Sequence, residues 1–251
     1  MNVLLESSLY KKRMQGYVDL ALTLGIRFFI TALGNPKDVV ERVKPFGGIV
    51  YHDITERKWA EKALMSGVDG FICVNNRAGG HAGRKSAEEL FNEVSDLKKP
   101  LVLAGGLSAP EDLKWALKLG YVAIQMGTRF IASNECKAGI DYKKAIVNAA
   151  EEDIVLTERV TGIPLSVINT PYVEKMGTKA GNLARTLLRY PLTKKWMRLW
   201  YGITALHDFK KIMKEGGSSK DYWQAGKSVA KIHSIQSVKE IMQAFKNILN
   251  Y

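Results

Sequence analysis

The sequence is poor in cysteine: Cys73 and Cys136 are the only two in 251 residues. Two thiols cannot build a disulfide framework, and neither belongs to a metal-spaced cluster, so a reducing, cytoplasmic setting is expected. Long apolar runs are also missing. No stretch approaches a membrane span, and the apolar part of residues 1–14 is too short for a signal peptide. No low-complexity linker interrupts the chain. Acidic residues are scarce in one region, Lys179–Lys214, which carries nine Lys or Arg against Asp208 alone. That region supplies much of the +12 formal charge. A positive surface attracts nucleic acid, anionic membrane, acidic protein or small anions. No nucleic-acid fold signature accompanies it, so no nucleic-acid partner is expected, and a solvated helical face is the preferred reading. A membrane-surface role for Leu183–Ile203, where Arg and Lys interleave with Trp and Leu, is a lesser alternative.

What is present is a rhythm. Short apolar runs at Asn2–Leu5, Phe28–Leu33, Gly48–His52, Gly70–Val74, Pro100–Ala104 and Val122–Met126 alternate with amphipathic stretches at Tyr10–Leu24, Pro36–Val43, Glu56–Met65, Ala87–Leu97 and Pro110–Leu119. Such alternation, with near-continuous apolar strands, predicts a parallel sheet covered by helices. Gly25, Gly67 and Gly120 fall where a helix should stop before the next strand. Asn35-Pro36 reads as an N-cap with proline at the first helical position. Ser108 and Glu111 have capping-box spacing. After Arg129 the rhythm changes: a helix is expected over Ala138–Ala150, an irregular apolar segment over Thr161–Thr170 and a terminal helix over Ser237–Leu249. The expected division is a barrel portion, residues 1–136, and a mainly helical cap, residues 137–251. Six strand–helix units would suit either part of an eight-stranded barrel or a doubly wound open sheet.

Three strand-end segments carry chemistry. Gly105-Gly106, followed by Ser108, and Gly127-Thr128-Arg129 end successive strands. Glycine there lets backbone N–H groups approach an anion, and a following helix N-terminus adds partial positive charge. In barrels, the loops after the last two strands commonly hold phosphate. The third segment, Asn75–Gly83, sets His81 among Gly79, Gly80 and Gly83 one unit earlier. Its imidazole could move a proton or hold a ligand. His52, His207 and His233 read as surface residues. No second histidine or carboxylate stands at ligand spacing from His81, so no metal is expected. The chain has no Gly-x-Ser-x-Gly elbow, and Lys85-Ser86 falls at the wrong offset for a Walker loop.

Taken together, Ala78-Gly-Gly-His-Ala-Gly83, Ala104-Gly-Gly-Leu107, Gln125-Met-Gly-Thr-Arg-Phe130 with Glu135, Glu158–Pro164 and Trp223–Ser228 closely resemble the nitronate monooxygenase family, formerly 2-nitropropane dioxygenase, and its relative the flavin-type enoyl-acyl-carrier-protein reductase. The resemblance implies an α/β, TIM-type (β/α)8 barrel with a helical C-terminal cap, here reduced to six βα units, and FMN as cofactor. It implies that Gly105, Gly106, Gly127 and Thr128 hold the FMN phosphate, with Gln125 facing that end. His81 would stand at the reactive edge of the flavin as the catalytic residue. Gly79 and Gly80 would let their loop approach the ring, Asn2 would flank it, and Ala225–Ser228 would close over it. The implied reaction oxidises an alkyl nitronate with O2 to a carbonyl compound and nitrite. An NAD(P)H-dependent reductase acting on an enoyl-acyl carrier protein or a quinone is the alternative, and the basic cap would suit an acidic carrier protein. A flavin-poor binding or regulatory remnant is a third reading. Asn2–Leu5 matches the family's third strand, which leaves open a late start codon, a cropped chain, or a short form that closes differently or dimerises.

Overall fold

The computed structural model describes residues 2–4, 8–160, 164–179 and 222–249. The basic stretch expected to be helical, its tryptophans and His207 lie outside them. The described residues fall into two units, each with its own internal packing. Unit 1 comprises Met1–Asn76, Gly83–Ala104 and Trp115–Gln125, and unit 2 comprises Arg77–Ala82, Gly105–Lys114 and Met126–Tyr251. The division interleaves along the chain: the strand-end segments of the sheet group with the C-terminal half, rather than separating from it at residue 136.

Unit 1 is built on six parallel strands: β1 (Asn2–Leu4), β2 (Phe28–Ala32), β3 (Ile49–Ile54), β4 (Gly70–Val74), β5 (Leu101–Ala104) and β6 (Ala123–Gln125). They lie in the order β1-β2-β3-β4-β5-β6. Every spatial neighbour is a sequence neighbour and every pairing is parallel. A doubly wound sheet would reverse its order at a switch point, so the singly wound order selects the barrel-type unit. The intervening helices are α1 (Ser8–Thr23), α2 (Lys37–Val43), α3 (Arg57–Met65), α4 (Ala87–Val94) and α5 (Pro110–Leu119).

Alternation along the strands sorts two faces. Phe29, Thr31, Val50, His52, Ile54, Phe71, Cys73 and Leu103 are all buried on one face. There Cys73 hydrogen-bonds Tyr121, whose hydroxyl donates to the Ala87 carbonyl at the start of α4 (2.8 Å). Burial pushes the Cys73 thiol up to about 12, which makes it an inert core residue. The helices supply the matching apolar positions Val39, Val40, Val43, Ala60, Ala63, Leu90 and Val94. The other face carries Ile72, Val102 and Ala104, packed with Ile30, Tyr51, Val74 and Ala123.

Helix ends follow the sequence closely. Gly25, Gly67 and Gly120 all lie at positive φ. Gly120 has a second reason to lack a side chain, since a Cβ there would meet the Phe91 ring at 2.4 Å. The Asn35 carboxamide accepts from Lys37 N at the start of α2 (2.9 Å). Ser86 and Glu89 form a reciprocal capping box on α4. At α5 the expected Ser108–Glu111 box does not form. Asp112 caps instead, its Oδ2 accepting from Ser108 N (2.8 Å) and Ala109 N (2.9 Å). This frees the Ser108 hydroxyl for a contact far along the chain.

Unit 2 contains α6 (Thr128–Ile131), α7 (Ile140–Asn148), β7 (Ile154–Thr157), β8 (Leu165–Ile168), α8 (Pro171–Met176) and α9 (Val238–Leu249). The expected irregular segment over Thr161–Thr170 is in part a strand. β8 pairs antiparallel with β7, in register Ile154↔Ile168 to Thr157↔Leu165. Its four residues are all buried, so no polar alternation marked it. The core of this unit joins Ala132, Ile146, Ile168, Ala225, Val229 and Ile232.

Candidate active site

His52 is the sequence expectation that the fold corrects first. It is buried, not exposed, and its Nδ1 shares a hydrogen bond with Thr31 Oγ1 (2.8 Å). Burial lowers its pKa to about 4, so it is a neutral core residue. It lies on β3 among helix-facing side chains, where period-2 alternation puts every second residue inside. His233 is exposed, as expected.

Unit 2 collects the glycine-rich strand ends, and the segment Ala225–Ser228 ties them together. Gly226 N donates to Thr128 Oγ1 (3.1 Å), Lys227 N donates to the Arg77 carbonyl (2.9 Å), and Ser108 Oγ donates to the Ser228 carbonyl (3.1 Å). One short stretch therefore bonds all three loops that the sequence singles out. Burial of Ala225, Val229 and Ile232 in the unit core anchors the segment, and Trp223 stacks on Tyr142 with centroids 5.7 Å apart.

Two glycines make this approach possible. A Cβ on Gly79 would stand 2.7 Å from Gly226 N, and one on Gly226 would stand 2.6 Å from Gly79 N and 2.7 Å from the Arg77 carbonyl. Backbone faces backbone, and no side chain fits between. Gly80 makes the next tie: Ser166 N donates to its carbonyl (2.8 Å), which joins the loop to β8. His81 follows directly and is half-buried. Gly79 thus has a packing role that the sequence reading, which assigned it to cofactor approach, did not identify.

The remaining candidates divide between the units. Gly105 and Gly106 take positive φ, +111° and +74°, at the end of β5. A Cβ on Gly106 would meet the Arg77 side chain at 2.7 Å. Gly127 precedes α6 and has nothing within 4 Å of the position a Cβ would take, so the backbone is open to a ligand there. Thr128 is buried, and its oxygen accepts from Gly226 N; a hydroxyl that accepts can still donate its proton. Gln125 ends β6, opposite Ala104, in unit 1. Asn2 begins β1, opposite Ile30, also in unit 1.

The electrostatics around the glycine loops favour an anion. The Arg77 guanidinium pairs with both Glu151 oxygens (2.8 and 2.6 Å), and Lys227 approaches the same carboxylate at 3.4 Å. Hydrogen bonds from Arg77 hold Glu151 below the usual carboxylate range. Two cations thus share one acid. Glu111 and Asp112 are the acids closest in sequence to Gly105–Gly106; Glu111 is exposed, and Ser108 N, Ala109 N and Lys231 Nζ (2.5 Å) occupy the oxygens of Asp112. Arg77 falls within the segment Asn75–Gly83, where the sequence assigns it no role; its place against Gly106 comes from the fold alone. Among the described residues, no group of three or more His, Cys, Asp or Glu could hold a metal ion, and no helix is long and apolar enough to cross a membrane.

Comparison with known proteins bears on the family and the fold. The family model for nitronate monooxygenase matches residues 4–247. The chain is 31% identical over 176 residues to a Mycobacterium tuberculosis protein named (3aS,4S,5R,7aS)-5-hydroxy-7a-methyl-1-oxo-octahydro-1H-indene-4-carboxyl-CoA dehydrogenase, covering 68% of this chain and 50% of that one. It is 27% identical over 217 residues to a probable nitronate monooxygenase of Staphylococcus saprophyticus, covering 76% and 61%. FabK from Thermotoga maritima superposes with a TM-score of 0.78 at 25% identity, covering 99% of this chain and 76% of FabK. The chain spans about half the length of the curated relatives it matches.

Proposed function

Since the chain belongs to the nitronate monooxygenase family, we propose that it is an FMN-dependent oxidoreductase that converts alkyl nitronates and O2 to carbonyl compounds and nitrite. The observation that carries this reading is the open backbone at Gly127 beside the Thr128 hydroxyl and the positive-φ pair Gly105–Gly106. Backbone N–H groups, one hydroxyl proton and excess positive charge suit a phosphate monoester. Bound FMN would supply the electron acceptor for the nitronate and the route onward to O2.

The chain's own residues would bind and orient. Gly105, Gly106, Gly127 and Thr128 would hold the phosphate. The Ala225–Ser228 segment would keep the three loops in place through its bonds to Arg77, Ser108 and Thr128. His81, on the loop tied to β8, would hydrogen-bond the nitro oxygens, or remove the α-proton from a neutral nitroalkane. Gly80, Asn2 and Gln125 are proposed cofactor neighbours on the family resemblance. His81→Ala should bind FMN as the parent does while nitrite release falls about a hundredfold, the typical size of a lost acid–base contribution. Unchanged turnover would remove His81 from the chemistry.

A second reading has a specific observation behind it. The Mycobacterium tuberculosis relative, at 31% identity, is named as a dehydrogenase of a carboxyl-CoA substrate. An oxidoreductase acting on a carrier-linked acyl group would use the same cofactor site. Anaerobic mixing of the flavin-loaded protein with NADH separates the two readings: rapid loss of flavin absorbance favours a pyridine-nucleotide-linked enzyme, and none favours the nitronate enzyme.

A further inference from the structure

Asp53 is the penultimate residue of β3, at the C-terminal end of the strand. Alternation sets it on the face shared with Tyr51, and its ladder partner on β4 is Ile72. That face carries Ile30 on β2, Ile72 and Val74 on β4, Val102 and Ala104 on β5, and Ala123 on β6. Tyr51 is the other titratable group there, and these strands bring no cation to it. His52, although adjacent in sequence, lies on the helix-covered face and is bonded to Thr31.

Asp53 Oδ1 is sealed from solvent and has no hydrogen-bond partner among the described residues. Burial pushes the carboxyl up to about 7. Asp53 as a whole is half-buried, and Oδ1 is the oxygen that is sealed; a carboxylate so placed is costly, and the neutral acid carries an O–H that seeks an acceptor. A folded protein rarely leaves such a group unsatisfied without a role for it. The C-terminal ends of parallel barrel strands are where reacting groups gather.

We propose that the Asp53 O–H donates a hydrogen bond to an acceptor oxygen, of carbonyl or nitro type, on a molecule bound against this face of the sheet. The flavin carries carbonyl oxygens and the nitronate carries nitro oxygens. Naming either rests on the proposed function above; the position of Asp53 does not. Once ionised, the carboxylate repels such an oxygen, so binding weakens as pH rises through about 7.

The test is binding, read by flavin fluorescence, of FMN and then of ethylnitronate to the full chain, between about pH 6 and pH 8.5. The parent is compared with Asp53→Asn, which keeps a donor, and Asp53→Leu, which does not. Asp53→Leu should bind one of the two ligands about tenfold more weakly at pH 6, the equivalent of one lost hydrogen bond. The weakened ligand identifies the source of the oxygen. Asp53→Asn should match the parent at pH 6 and lose the decline in affinity near pH 7. Parent-like binding of both ligands by Asp53→Leu, or a decline that persists in Asp53→Asn, would overturn the inference while leaving the flavin reading intact. A parent chain that binds neither ligand overturns both.

Discussion

The two units are held together differently. In unit 1 each strand pairs with the next strand in sequence, and α1, α3 and α5 are each followed by a glycine at positive φ. In unit 2 the ties join residues 80 with 166, 108 with 228, and 128 with 226. Glycine serves both, for different reasons. Gly67 turns the chain at a helix end, whereas Gly79 and Gly226 let two backbones touch. A local framework and a long-range clasp therefore respond to substitution in different ways.

The widest break should come at the clasp. Gly226→Ala forces a Cβ against the Gly79 and Arg77 backbones at 2.6–2.7 Å, neither of which can rotate away. A stability loss of about 3 kcal/mol, as for severe overpacking, and a fall in FMN affinity are expected from urea denaturation and flavin titration. Gly127→Ala meets nothing within 4 Å, so it should lower FMN affinity while stability stays within about 0.5 kcal/mol. If both substitutions act equally on stability, the clasp has been misread.

Within unit 1, two neighbouring residues on opposite faces should oppose each other in pH. Asp53 has a folded pKa raised from 3.8 to about 7. Its contribution is full below about pH 4 and is lost as pH rises toward 7. His52 has a folded pKa lowered from 6.5 to about 4. Its contribution is full above about pH 6.5 and is lost as pH falls toward 4. Each is on the order of 3 kcal/mol at full extent, so the parent should be nearly flat between about pH 4.5 and 6.5. Asp53→Asn should expose a loss of stability on acidification. His52→Leu, which leaves Thr31 bonded to the Tyr51 carbonyl (3.1 Å), should expose a loss on the alkaline side. Equal slopes in all three proteins would contradict the burial of both groups.

The smallest effect belongs to the local framework. Ser86→Ala removes one half of the α4 capping box and should cost about 1 kcal/mol. FMN affinity should not change, because the box serves α4 alone.

This contrast also explains what could be read in advance. The six strands and α1–α5 were legible because alternation, capping residues and glycine stops act within a few residues. α5 matched Pro110–Leu119 to the residue, and β4 matched Gly70–Val74. The hairpin strand Leu165–Ile168 was hidden because it is buried on both faces and short. Ser108 was expected to cap its own helix. Asp112 displaced it, and the free hydroxyl reached Ser228, a partner 120 residues away that no local pattern announces. His52 read as a surface residue, and Asp53 carried no role in the sequence. The register of β3 sets one against the helices and the other on the opposite face of the sheet. Of the candidate site, the glycines and His81 stood out by composition, and the clasp that joins them did not.

The glycine loops of unit 2 are proposed to hold a phosphate. The most direct test is to titrate the chain with FMN and with riboflavin, which is the same ring system without the phosphate, and to repeat both with Gly127→Ala. FMN should bind at least about a hundredfold more tightly than riboflavin, as charge-assisted hydrogen bonds of about 1.5–3 kcal/mol each imply, and Gly127→Ala should narrow the difference. Equal affinity for the two flavins, or a difference untouched by Gly127→Ala, would contradict it.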